Sequence, residues 1–234
     1  MNENNNVNLE GIVIECSLDT LPSSDIKYAS MIISTTHKKK GGSAENAYHR
    51  VRFPVSPDTA ESIVKLKNDC KQNFEKISRG VNGVAPRYIS LNGELRHDKR
   101  NQPFILADEK DVRFPEKISN KNNRISLEGK LHSILHSSPV AATLLIKVPN
   151  GEKNKSLVPV IIDSRKNPLE WAAIASGKTA QGDNVRVTGR LDGKLYGNGP
   201  NNDMLLRSSI LSQTISIKNN LKKQNQQKPV LPTL

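Results

Sequence analysis

Apolar and polar residues alternate along "NVRVTGRLDGKLY" (184–196), with Val185, Val187 and Leu191 on one face and Arg186, Thr188 and Arg190 on the other. A period of two predicts a strand buried on one side only. "RYISLNGELRHDK" (87–99) is the same phrase, an alternating strand followed by Gly, one residue, Leu and charge. A second pair accompanies it: "VNLEGIVIE" (7–15) and "ISLEGKLHS" (125–133) share Leu9/Leu127, Glu10/Glu128 and Gly11/Gly129. The landmarks recur in the same order, with less chain between the two glycines of the second copy. The chain therefore reads as two tandem copies of one unit.

The elements between the landmarks repeat as well. In the first copy "YASMIIST" (28–35) leads through a long basic loop, "THKKKGGSAENA" (36–47), into "YHRVRFPV" (48–55). There Val51, Phe53 and Val55 alternate with Arg50 and Arg52, which places the arginines on the outer face. In the second copy "ATLLIKV" (142–148) passes through "PNGEKNK" (149–155), with its Asn-Gly turn signal, into "SLVPVIID" (156–163). Helices follow in both copies. "SPDTAESIVKLKNDCKQNFEKIS" (56–78) opens on Ser56, Pro57 and Asp58, and "NPLEWAAIASGK" (167–178) opens on Asn167 and Pro168 and stops at Gly177.

Five strands with a helix between the third and fourth is the element order of the OB fold, a small Greek-key barrel. The expected fold class is thus all-β with short helices, as two tandem five-stranded OB barrels. A Gly inside each repeated strand suits a corner where a small barrel bends sharply. The expected division is a first barrel over 5–115, a linker over 116–123, a second barrel over 124–218 and a disordered basic tail over 219–234. The two barrels are expected to be separate, so one continuous sheet would contradict that expectation.

Charge points to a partner. Thirty-five Lys and Arg face 23 Asp and Glu, a formal charge of +12, and a polyanion is the natural counterpart of that excess. The sequence has no apolar run of membrane-spanning length, and "MNENNNVN" lacks the regions of a secretory signal, so a cytoplasmic protein without membrane attachment is expected. Cys16 and Cys70 have no metal-ligand spacing, and His132 and His136 have no acidic or Cys partners nearby, so neither metal nor cofactor is expected. Catalytic signatures are absent from the sequence, and the protein is read as a binder rather than an enzyme. Aromatics make up only 4%, which shifts the expected binding from base stacking to phosphates.

"NRISLEGKL" (123–131), "GDNVRVTGRLDGK" (182–194) and the intervening helix resemble the bacterial single-stranded DNA-binding (SSB) and primosomal OB protein families. The resemblance covers 123–212 well and 5–115 more loosely. It implies single-stranded DNA binding in replication, recombination or mobile-element DNA processing, with replication or recombination proteins as partners. A dimer of two such chains would complete the four-barrel arrangement it suggests. The chain departs from the SSB pattern at its end, where "SIKNNLKKQNQQKPVLPTL" (216–234) has lysines in place of an acidic tail.

The candidate nucleic-acid contacts are Lys38, Lys39 and Lys40 in the first hairpin loop, Tyr48 flanking that loop, and Arg50 and Arg52 on the outward strand face. Later in the chain they are Arg96, Lys99, Lys147, Lys153, Lys155, Arg186, Arg190, Lys194 and Tyr196. Tyr48 and Tyr196 are the stacking candidates, and Trp171 reads as a plug closing a barrel. DNA is favoured over RNA. An RNA-binding OB protein and a scaffold that docks its barrels onto a replication or transfer machine are the alternatives.

Overall fold

The computed structural model describes residues 5–20, 26–38, 42–78, 85–118, 123–150, 154–196 and 205–218. Ten strands and two helices are formed: β1 (Asn5–Thr20), β2 (Lys27–Lys38), β3 (Ala44–Val55), α1 (Pro57–Ser78), β4 (Tyr88–His97), β5 (Pro103–Arg113), β6 (Asn123–Ser137), β7 (Ala141–Asn150), β8 (Asn154–Asp163), α2 (Pro168–Ala175), β9 (Asn184–Tyr196) and β10 (Leu205–Lys218). No helix among the described residues is long and apolar enough to cross a membrane.

Period-two alternation makes these strands. Val7, Leu9, Gly11 and Val13 of β1 are buried in turn, and an irregularity between Val13 and Glu15 then shifts the phase so that Cys16 faces inward. β2 and β3 run further than the basic loop suggested, because pairing continues from Thr36↔Asn46 to Lys38↔Ala44. The connection is accordingly shorter than the expected span 36–47.

α1 begins as its sequence signals. Pro57 is its first residue, and the Ser56 main-chain N–H and hydroxyl both donate to Glu109 on β5, at 3.1 and 2.8 Å. Hydrogen bonds from Thr59 and Ser56 hold the Glu109 carboxyl below its usual pKa. Ala60, Ile63 and Cys70 form the buried stripe of α1, at helical spacing. In α2 Ile174 is buried, and Trp171 packs against the core while its indole N–H donates to the Ser138 carbonyl at 3.0 Å. Trp171 is therefore a packing residue, as its sequence context suggested.

The pairings of the first copy run β1-β2-β3-β5-β4 and return to β1, all antiparallel except a short parallel contact between β3 and β5. The second copy repeats the circuit as β6-β7-β8-β10-β9-β6, with β8 and β10 parallel. The repeated glycines sit where neighbouring backbone comes close. A Cβ on Gly11 would lie 2.5 Å from the Ser34 carbonyl oxygen, and one on Gly93 2.5 Å from that of Leu106. Gly129 and Gly189 meet Lys147 and Leu211 in the same way.

The two circuits are not separate. β1 pairs with β6 over Asn5↔Leu127, Val7↔Ile125 and Leu9↔Asn123, so all ten strands form one continuous hydrogen-bonded series. This corrects the expectation of two units joined only by a linker. The register has a local two-fold: Val7 and Ile125, the equivalent residues of the two copies, face each other, and Asn5 and Asn123 take mirrored places. This is the pattern of an isologous contact built inside one chain. Asn5 spends its main chain across this seam, and its side chain completes the ladder to β4, donating to Leu95 O at 2.8 Å and accepting from Leu95 N–H at 3.1 Å. Asn123 does the same for Leu191, at 2.8 and 2.9 Å. Alternation could not reveal this seam, because its polar residues read as loop or strand-start residues.

Candidate nucleic-acid interface

β3 positions the first group. Ala47, His49, Val51 and Phe53 are buried, which turns Tyr48, Arg50 and Arg52 outward, each half-buried. The Arg52 guanidinium lies over the Phe104 ring, 5.1 Å from its centroid, a cation–π contact that orients the arginine and covers the ring. Phe104 and Leu106 are outward on β5 because Pro103, Ile105 and Ala107 are buried. Leu106 is in register with Arg52, and Phe104 with Arg96 on β4. One sheet face thus carries Arg50, Arg52, Phe104 and Arg96 across three adjacent strands. The Nε groups of Arg52 and Arg96 are buried without a hydrogen-bond partner, and Arg96 also pairs with Glu94. Sequence reading missed Phe104, although the alternation in "PFILA" was enough to place it outward.

Arg96 also belongs to a second group. With Lys147, Lys155 and Arg186 it lines a groove of about 1080 Å³ beside the seam, together with Lys130 and Lys218, which sequence reading did not select. Arg186 pairs across the ladder with Glu128. Lys130 and Lys147 stand directly opposite each other on β6 and β7, and both are exposed.

The other candidates are dispersed. Lys99 is exposed in the turn between β4 and β5, where the Asp98 carboxylate accepts from the N–H groups of Arg100 and Gln102. Arg190 is half-buried and Lys194 exposed on β9. Lys38 and Tyr196 end β2 and β9, and their side chains lie outside the described residues, as do Lys39, Lys40, Lys153 and the tail from 219.

Behind β3, at the seam, His49 is fully buried, and its Nε2 lies 2.9 Å from Thr35 Oγ1 and 3.3 Å from Asn123 Nδ2. Burial pushes its pKa down to about 3, so the ring is neutral.

Neither a family model nor a curated protein matches this sequence. Solved structures do match it. The wild-type single-stranded DNA-binding protein of Thermus aquaticus superposes with a TM-score of 0.57 at 14% identity, covering 92% of this chain and 93% of that chain. A deletion variant of that protein gives 0.55 at 15% identity, over 92% and 94%. At such identities the likeness is one of fold, and it extends over nearly the whole length of both chains: this chain has the all-β fold of the Thermus aquaticus single-stranded DNA-binding protein.

Proposed function

We propose that the protein binds single-stranded DNA without catalysis, chiefly through phosphates, on the outward face of β3, β5 and β4. The observation that carries this reading is the row Arg50, Arg52, Phe104 and Arg96, cations around one ring, on a sheet whose fold is that of an SSB protein. Such a surface suits a strand whose phosphates meet guanidinium groups while a base covers the ring. Each pairing circuit is read as one OB barrel, over 5–115 and 124–218, with 116–123 as linker and 219–234 as a basic tail. Lys38, Lys39, Lys40 and Lys153 would extend the phosphate track from the hairpin loops. Replication, recombination or mobile-element DNA processing in the cytoplasm is the setting this chemistry suits, and two chains would give a four-barrel assembly.

The test is a titration against single-stranded DNA, single-stranded RNA and duplex at two salt concentrations. Single-stranded DNA should bind tightest, with affinity falling steeply as salt rises. Arg50→Ala and Arg52→Ala should each flatten the slope of log affinity against log salt by less than about 1. Phe104→Ala should lower affinity at every salt concentration, by about 1 to 3 kcal/mol, with little change in slope; Tyr48→Ala should act the same way. Failure of the wild type to bind any single strand at low salt would sink the reading and favour a protein-docking scaffold.

A further inference from the structure

The local two-fold at the seam gives the residues lining the groove beside Arg96 equivalents on the other side, where β9 packs against β3 and a Cβ on Gly193 would meet the Tyr48 carbonyl oxygen. Equivalence follows from the registers. Ile12↔Ser34 on β1 and β2 matches Lys130↔Lys147 on β6 and β7, and Thr36↔Asn46 matches Pro149↔Lys155. The strands carrying Gly93 and Gly189 make Ser90 the equivalent of Arg186, and Asp192 the equivalent of Arg96. So Lys130, Lys147, Lys155, Arg186 and Arg96 are replaced on the other side by Ile12, Ser34, Asn46, Ser90 and Asp192. The equivalent positions do hold Arg190, in the place of Glu94, and Arg113, in that of Ser216, against Glu10 and Asp192. The balance is plain: six cations and two carboxylates line the groove, while basic and acidic groups cancel at the equivalent positions.

Within the charged groove both carboxylates are already engaged, Glu94 by Arg96 and Glu128 by Arg186. Lys130, Lys147, Lys155 and Lys218 have no carboxylate partner among the described residues. Lys130 and Lys147 also face each other directly across the ladder, an arrangement that destabilises a sheet unless an anion sits between the like charges. A repeated sequence would carry the same charge at both sets of positions, so the positive charge is a property of this one side. The groove is also continuous with the proposed binding face, because Arg96 lines it and is in register with Phe104, under Arg52.

Resting on the function proposed above, we infer that the groove beside the seam is a second, one-sided binding segment. It takes a single strand of nucleic acid by its phosphates as the strand leaves the Arg52–Phe104–Arg96 face and crosses from the first copy to the second. The equivalent positions on the other side carry no excess of positive charge and lie where β9 packs against β3, so the strand has one path over the molecule.

The test compares Lys130→Gln/Lys147→Gln/Lys155→Gln with a control of equal net charge, Lys110→Gln/Lys117→Gln/Lys166→Gln, at exposed positions outside the groove. Oligothymidylates of about 8 nucleotides, within the roughly 4 to 16 that one OB fold covers, and of about 35 are titrated across salt. On the long strand the groove variant should lose about 2 from the salt slope, at roughly 0.7 for each of three contacts, and the control much less. On the short strand the groove variant should lose less than about 1. Thermal melts of the unliganded variants check folding, and the groove variant should melt no lower than wild type because a like-charge pair has been relieved. Equal slopes for groove variant and control, with wild type binding normally, would overturn the groove while leaving the β3–β5–β4 face standing. Absence of wild-type binding to either strand would overturn both. Loss of poly-glutamate binding in the groove variant, with long-strand DNA binding unchanged, would overturn it in favour of an acidic polypeptide.

Discussion

Lowering the pH from 7 to 5 should destabilise the protein by about 2 kcal/mol through His49 alone, and His49→Val should remove that part of the loss. His49 is fully buried, and its pKa is lowered from 6.5 to about 3 by desolvation alone. The unfolded chain therefore takes up a proton near pH 6.5 that the folded chain refuses until about pH 3. Between those values the unfolded state binds more protons, so stability is complete above about 6.5 and falls as pH falls. His97, also lowered by burial, adds a smaller slope of the same sign. Asp163, held at about 2 by hydrogen bonds from Arg165, and Glu109, held below its usual value, add theirs only at lower pH. The window from 7 to 5 thus isolates histidine.

Valine is the informative replacement because Val158 occupies the equivalent place in the second copy, in register with Ile146 as His49 is with Ile33. A β-branched apolar residue therefore fits this wall of the fold. Urea unfolding at pH 7 and 5 gives the comparison. The wild type should lose stability between the two, and His49→Val should lose markedly less, keeping the His97 share. An unchanged pH dependence in the variant would show that His49 is protonated in the folded protein.

The legible and illegible parts of this fold differ in kind. Alternation located the strands, and Gly11, Gly93, Gly129 and Gly189 marked close approaches of backbone, because both signals depend on which side chains fit a packed interior. The outward setting of Arg50 and Arg52 followed from the same alternation. The seam did not, since pairing between β1 and β6 is a main-chain event, and its polar residues, Asn5 and Asn123, resemble those of any loop. Phe104 was hidden for another reason: an aromatic residue in a run of apolar ones reads as core until its phase is counted. The groove needed both facts at once. Lys130 and Lys218 are ordinary exposed lysines in the sequence, and they acquire a neighbourhood only when the second copy is set beside Arg96 of the first.

Asn5→Leu should cost about 2 to 6 kcal/mol in equilibrium unfolding, an unusually large loss for a residue that contributes no apolar packing. The Asn5 main chain pairs with Leu127 across the seam, so only its side-chain amide meets the carbonyl and N–H of Leu95. Leucine has a similar volume and neither function, leaving one donor and one acceptor buried without partners, at about 1 to 3 kcal/mol each. Asn5→Asp should recover part of the loss at neutral pH, because a carboxylate can still accept from Leu95 N–H but cannot donate to its carbonyl. Asn123→Leu tests the mirrored position. Its bonds to Leu191 are only part-buried, so water can replace some of them, but the variant also loses the donor to Thr35 Oγ1 at 3.1 Å that ties β6 to the first copy. Its loss should therefore be smaller than that of Asn5→Leu in stability, and it should be accompanied by faster hydrogen exchange of the Leu9 and Leu127 amides at the seam. If Asn5→Leu costs less than about 1 kcal/mol, the side-chain amide does not complete the β1–β4 ladder, and the continuity of the ten-strand series must rest on the β1–β6 main-chain pairs alone.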